Sequence, residues 1–60
     1  MKAKKCYLIC YTRWGTVCHR MEYNSINEAM REKKELIDEG YAFSYILYNE
    51  NKTKIIKKGV

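Results

Sequence analysis

Apolar and polar positions along the chain fall into four short blocks with strand character and one block at helical spacing. Cys6 to Arg13 (CYLICYTR) mixes aromatic and branched residues and predicts a strand. Trp14-Gly15 follows, and the glycine can supply the positive φ of a tight hairpin. Thr16 to Tyr23 reads as the returning strand. With Thr12 opposite Val17, the pairs run Cys10 with His19, Leu8 with Met21 and Cys6 with Tyr23. Side chains alternate between faces along a strand. One face of the hairpin then carries Cys6, Leu8, Cys10, Thr12, Val17, His19, Met21 and Tyr23. The other carries Tyr7, Ile9, Tyr11, Arg13, Thr16, Cys18, Arg20 and Glu22.

Ser25-Ile26-Asn27-Glu28 is a capping box, in which the Ser25 hydroxyl accepts from the Glu28 amide and the Glu28 carboxylate reaches back to the Ser25 amide. It opens a helix of about 14 residues over Ile26 to Glu39. Ile26, Ala29, Met30, Leu36 and Ile37 form its apolar stripe. Lys33 lies within the stripe, with methylenes to lay on apolar surface and an amine to keep in water. Arg31 with Glu35 and Lys34 with Asp38 are outward i,i+4 pairs. Gly40 is placed to end the helix in a left-handed cap, with Tyr41 packing back on Leu36. Ala42 to Tyr48 predicts a third strand, Asn49-Glu50-Asn51-Lys52 a turn, and Thr53 to Lys58 a fourth strand. The adjacent Ile55 and Ile56 send one isoleucine to each side, and the repeated lysines mark an edge.

The element order is ββαββ, a single α+β domain over residues 1–60 with a frayed basic lead at 1–5. The first strand is the most apolar. It belongs at the centre beside the third, which gives a four-stranded antiparallel sheet in the order 2-1-3-4 with one helix packed on one face. A chain of 60 residues has no second layer for the other face. That face shows Tyr7, Ile9 and Tyr11, flanked by Arg13 and Arg20. The second hairpin adds either Ser44, Ile46 and Tyr48 or Phe43, Tyr45 and Leu47.

Charge sharpens this asymmetry. The formal charge is +5, yet the helical segment holds three bases against five acids, a net −2. The rest holds nine bases against two acids, a net +7. The positive excess thus lies outside the helix, which points to a polyanionic partner or serves solubility. The run Cys6 to Tyr11 is too short for a signal-peptide core, and nothing approaches a membrane span. Three cysteines, an odd number, fit a reducing, cytoplasmic setting.

Chemical signatures are sparse. There is no glycine-rich phosphate loop and no Ser-His-Asp spacing. His19 and Cys10 share a face as a nucleophile and its base would, but on the helix-covered side, away from any substrate. Cys6, Cys10 and His19 lack the paired short spacings of structural zinc sites. Cys10 and Cys18 aim to opposite faces and do not suit a disulfide. Glu28, Glu32, Glu35 and Glu39 form a solvated helix flank. No catalytic residue, metal site, cofactor or small-molecule substrate is expected.

From Tyr7 to Gly40 the pattern of aromatic strand, glycine turn, second strand and a helix opening Ser25-Ile26-Asn27-Glu28-Ala29 resembles the amino-terminal arm-type DNA-binding domains of tyrosine-type integrases. It is also similar to other small bacterial and phage ββαββ modules. The resemblance implies a sheet laid into the DNA major groove, with Tyr11, Arg13 and Arg20 facing the duplex and Lys54, Lys57 or Lys58 nearby. Two features depart from that pattern: the second strand lacks a basic cluster, and a second hairpin follows the helix. The expectation is a non-enzymatic binding module with Tyr7, Ile9, Tyr11, Arg13, Arg20, Lys54, Lys57 and Lys58 as partner-facing residues. Its partner is nucleic acid or, as the alternative, a host protein engaged by a small phage or mobile-element adaptor. A homodimer stacked through the same sheet face is compatible with either.

Overall fold

The computed structural model describes residues 5–59. The elements are β1 (Cys6–Tyr11), β2 (Val17–Tyr23), α1 (Ile26–Asp38), β3 (Ser44–Asn49) and β4 (Ile55–Gly59). They form one antiparallel sheet in the order β2-β1-β3-β4 with the helix against one face, the expected ββαββ arrangement. The frayed lead expected at 1–5 lies almost wholly outside the described residues.

The first hairpin reaches the expected pairing by an unexpected route. Its loop is three residues long. The Gly15 amide donates to the Thr12 carbonyl at 3.0 Å, and the Thr12 amide donates to the Thr16 carbonyl at 2.8 Å. Gly15 closes the turn at φ +86°, a conformation that strains any residue with a Cβ. Arg13 therefore belongs to the turn and not to β1, and Val17 faces Tyr11 instead of Thr12. A bulge then skips Cys18, so the next pair is Cys10 with His19. The one-residue offset of the turn and that of the bulge cancel. Leu8 with Met21 and Cys6 with Tyr23 follow as the alternation predicts. Val17 is the casualty: sharing a pair with Tyr11, it sits on the open face, half exposed.

β3 settles the register of the second hairpin. Tyr7 faces Tyr48, Ile9 faces Ile46 and Tyr11 faces Ser44. On the other side Leu8 faces Leu47 and Cys10 faces Tyr45. β3 begins at Ser44 and not at Ala42, because the helix exit uses the intervening residues. The Gly40 amide donates to the Ile37 carbonyl, and the Tyr41 and Ala42 amides both donate to Leu36 at 2.9 and 3.1 Å. Gly40 adopts φ +86° for this cap. The Tyr41 amide bonds to Leu36 as the cap places it, and the residue is 65% exposed. It points to solvent, and Ala42 is the residue that turns inward. β4 starts at Ile55 and not at Thr53, since Thr53 and Lys54 are held in the turn by the Asn49 side chain. Asn49 Oδ1 accepts from both amides, at 2.8 and 3.1 Å.

The core lies between helix and sheet. Cys6, Leu8, Cys10, Ala29, Ala42, Tyr45 and Leu47 are buried, with Tyr23, Ile26, Met30, Leu36 and Ile37 packed around them. The alternating burial of β1 is the sequence alternation realised. Ser25 caps the helix by accepting from the Glu28 amide at 3.2 Å. The reciprocal half of the capping box is not formed. Of the two outward pairs, Lys34–Asp38 closes at 3.4 Å, while Arg31–Glu35 does not. The helix packs over β1, β2 and β3 but does not reach β4. Among the described residues, no helix is long and apolar enough to cross a membrane.

Candidate binding face and aromatic groove

Alternation along β1 and β3 turns Tyr7, Ile9, Tyr11, Ile46 and Tyr48 away from the helix. All five are half-buried, and no helix of the described residues lies over them. Rows of side chains cross this face. Glu22, Tyr7, Tyr48 and Ile55 form one row; Arg20, Ile9, Ile46 and Lys58 form the next. The centre is apolar and aromatic, and the ends of the second row are cationic.

A further cation reaches the face from the β3–β4 turn. Lys52 takes φ +60°, uncommon for a side chain of its type, and its amide donates to the Asn49 carbonyl at 3.0 Å. The turn thereby places the Lys52 amine 4.3 Å from the centre of the Tyr7 ring, within cation–π range. Sequence reasoning missed this residue. Lysine carries no intrinsic signal for a left-handed turn position, so only the fold reveals it.

The eight partner-facing residues expected from sequence therefore divide. Tyr7, Ile9, Tyr11, Arg20 and Lys58 come together on the open face. Arg13 sits on the hairpin tip, with its guanidinium 5.9 Å from the Trp14 ring. Lys54 lies in the turn before β4. Lys57 pairs with Leu47 and so points to the helix side, because the bulge at Ile56 lets Ile55 keep the open face opposite Tyr48. Lys57 and Arg13 are thus corrections to the expected face.

A second feature was not expected. Trp14, Tyr41 and Phe43 are 80%, 65% and 51% exposed. With Arg13 and Ile37 they line an open groove of about 450 Å³ where the hairpin tip meets the helix exit. The Phe43 amide, which donates to the Tyr11 carbonyl at 2.7 Å, ties the two sides together. Trp14 from the hairpin tip converges here with Tyr41 and Phe43 from the helix exit, two loops far apart in sequence.

The Cys6 and Cys10 thiols and the imidazole are placed for packing, whereas Cys18 is exposed. The Cys6 thiol donates to the Ser25 carbonyl at 3.4 Å. His19 Nε2 is 2.8 Å from Tyr23 Oη, so the imidazole engages tyrosine and not Cys10. Burial pushes the Cys10 thiol up to about 11 and raises Cys6 as well, so both remain protonated near neutral pH. Burial likewise lifts the Tyr23 hydroxyl to about 12. On the helix side Lys33 behaves as its position in the stripe predicts, its amine 4.8 Å from the centre of the Tyr45 ring.

No protein-family model, curated protein or solved structure matches this chain. The arrangement of the face and the groove is therefore the basis for a functional reading.

Proposed function

We propose that the chain is a non-enzymatic, cytoplasmic binding module that takes up nucleic acid on its open sheet face. The observation that carries this reading is the face itself: Tyr7, Tyr11 and Tyr48 around Ile9 and Ile46, with Arg20, Lys58 and Lys52 about them. Tyrosine rings offer sequence-tolerant stacking surfaces to bases, and the cations neutralise phosphate. The acidic helix flank lies on the opposite side of the sheet, and the open face carries Arg20, Lys58 and Lys52 against Glu22. Fluorescence anisotropy with labelled single-stranded and duplex oligonucleotides tests this. Affinity falls steeply with salt, and Tyr7→Ala or Tyr48→Ala weakens binding about tenfold or more, the usual worth of one stacked base. Absence of binding to both oligonucleotides at low salt refutes it. Binding to the duplex alone, insensitive to the tyrosines, moves the reading to groove insertion as the integrase-arm resemblance implies.

A protein partner is the second reading, and the groove favours it. Exposed tryptophan and tyrosine beside an arginine are the residue types that anchor protein interfaces. Under this reading Trp14→Ala abolishes a nuclease- and salt-resistant stoichiometric complex while the oligonucleotide assay stays silent.

A further inference from the structure

We propose that the outer edge of β2 pairs with the same edge of a second copy of this chain, antiparallel and centred on Met21, to give an eight-stranded sheet. This inference does not depend on the nucleic-acid reading. β2 and β4 are the two edges of the sheet, and they are protected very differently. β4 is five residues long, bulged, and carries Lys57 and Lys58. β2 is seven residues long, carries no lysine, and beyond its own bulge at Cys18 runs without irregularity from His19 to Tyr23. A regular edge without lysine is a template for another strand.

Backbone direction fixes which groups β2 offers. The Tyr11 carbonyl accepts from Phe43, beside β3, and the Thr12 amide donates to Thr16, on the hairpin side. Backbone groups alternate sides along a strand, so Cys10, Leu8 and Cys6 turn theirs toward β2. Their opposites His19, Met21 and Tyr23 turn inward in return. Arg20 and Glu22 are left with N–H and C=O facing out of the sheet.

A symmetric antiparallel pair must set these outward residues against one another. Centring the pair on Arg20 or on Glu22 puts like charges face to face. Centring it on His19 gives neither charge an opposite partner. Centring it on Met21 sets Arg20 opposite Glu22 of the second copy, and Glu22 opposite Arg20, so each charge meets an opposite one and the pair of copies holds two such contacts. Met21 then meets Met21 at the two-fold axis. Met21 is 53% exposed although it lies on the helix side, directly opposite the fully buried Leu8. The second copy covers this apolar surface, and the two tyrosine faces become one continuous face.

The test is sedimentation equilibrium from about 1 µM to 1 mM, the range in which an interface this small titrates. The wild-type chain shows a monomer–dimer equilibrium. Arg20→Glu and Glu22→Arg each weaken it about tenfold or more, since each turns two attractive cross-strand pairs into two repulsive ones. The double charge swap R20E/E22R restores it. A monomer at every concentration, single reversals without effect, or a swap that fails to restore dimerisation overturns the proposal. A second measurement stands apart from these variants. In a Cys18→Ser background, Met21→Cys forms an intermolecular disulfide under mild oxidation, because directly opposed residues of a non-hydrogen-bonded pair lie close enough to bridge. Glu22→Cys in the same background does not. A Met21→Cys chain that stays uncrosslinked also overturns the proposal.

Discussion

Leu8 and Ile9 are neighbours on β1 and differ in one respect: which side of the sheet they face. Leu8 is fully buried beneath the helix, beside Leu47 and opposite Met21. Truncating it to alanine removes buried carbons and leaves a cavity that the packed layer cannot refill, at a cost of about 2–5 kcal/mol. A domain of 60 residues is stable by about 3–9 kcal/mol in all. Leu8→Ala therefore removes from about a quarter of the stability to all of it, and at the upper end leaves the chain unfolded at 25 °C. Ile9 is half-buried on a face with no second layer, so water occupies the space its side chain leaves. Only the transfer of a partly covered side chain is lost, about 1 kcal/mol, which corresponds to about 4–8 °C in Tm for a domain this small. Urea and thermal unfolding followed by far-ultraviolet circular dichroism measure both. Trp14 fluorescence is a poor probe because the indole is already in water. Equal costs for the two variants, with the Ile9→Ala loss shrinking as the protein is diluted, show a face covered by a second molecule. A larger cost for Ile9 than for Leu8 means the sheet is turned over, and the proposed binding face goes with it.

Three further outcomes follow from local geometry. Gly40→Ala costs about 1–2 kcal/mol although no atom lies within 4 Å of the added Cβ, because the penalty is the left-handed backbone alone; a urea midpoint unchanged from wild type refutes this. Ser25→Ala costs about 1 kcal/mol, whereas Glu28→Gln costs a few tenths at most, since the Glu28 carboxylate does not close the capping box; equal losses in parallel melts contradict the cap geometry. Raising the pH destabilises the fold, because the Cys10 thiol is lifted from 9 to about 11 in the folded chain and therefore holds its proton more tightly there than when unfolded. That contribution is complete below pH 9 and disappears as the pH passes 11, amounting to about 2–3 kcal/mol. Tyr23, lifted from 10 to about 12, extends the loss upward, and a urea midpoint that stays flat from pH 8 to pH 11 rules the account out.

Much of this arrangement is legible in the chain because β1 alternates so cleanly. Cys6, Leu8 and Cys10 against Tyr7, Ile9 and Tyr11 can be sorted in only two ways, and the more polar of the two hairpin faces cannot go under a helix. The pairing of Cys10 with His19 is legible for a weaker reason. A two-residue loop without a bulge and a three-residue loop with one give the same register beyond Cys18, so the expectation holds despite a wrong turn. Arg13 and Val17 lie on the near side of that compensation and are misplaced for the same cause. The face shared by Ile46 and Tyr48 depends on how many residues the helix exit consumes between Gly40 and Ser44, which is fixed by two amides converging on one Leu36 carbonyl. No periodicity reports such a detail. The groove of Trp14, Tyr41 and Phe43 joins two loops far apart in sequence and is visible only after folding.

Widths explain why the lysines of β4 do not all serve the same end. Four strands about 4.8 Å apart place the outer two about 14 Å from each other, while a helix with its side chains is about 10–12 Å across. One helix leaning over β1, β2 and β3 therefore leaves the helix side of β4 uncovered. Lys57 occupies that position and hydrates an edge that has no roof, so its role follows from the fold whatever the partner. Lys58 lies instead on the open face, opposite Ile46, with Arg20 at the far end of the same row and Lys52 over Tyr7. With Glu22 they surround a surface of three tyrosines and two isoleucines. Lys52 even adopts a backbone conformation disfavoured for its type while its amine lies over Tyr7. Under the proposed nucleic-acid reading, these cations, interrupted by Glu22, are the part of the positive excess that phosphate would meet. Removing Lys58 should disturb binding and spare the melt, whereas removing Lys57 should disturb neither binding nor the packed core.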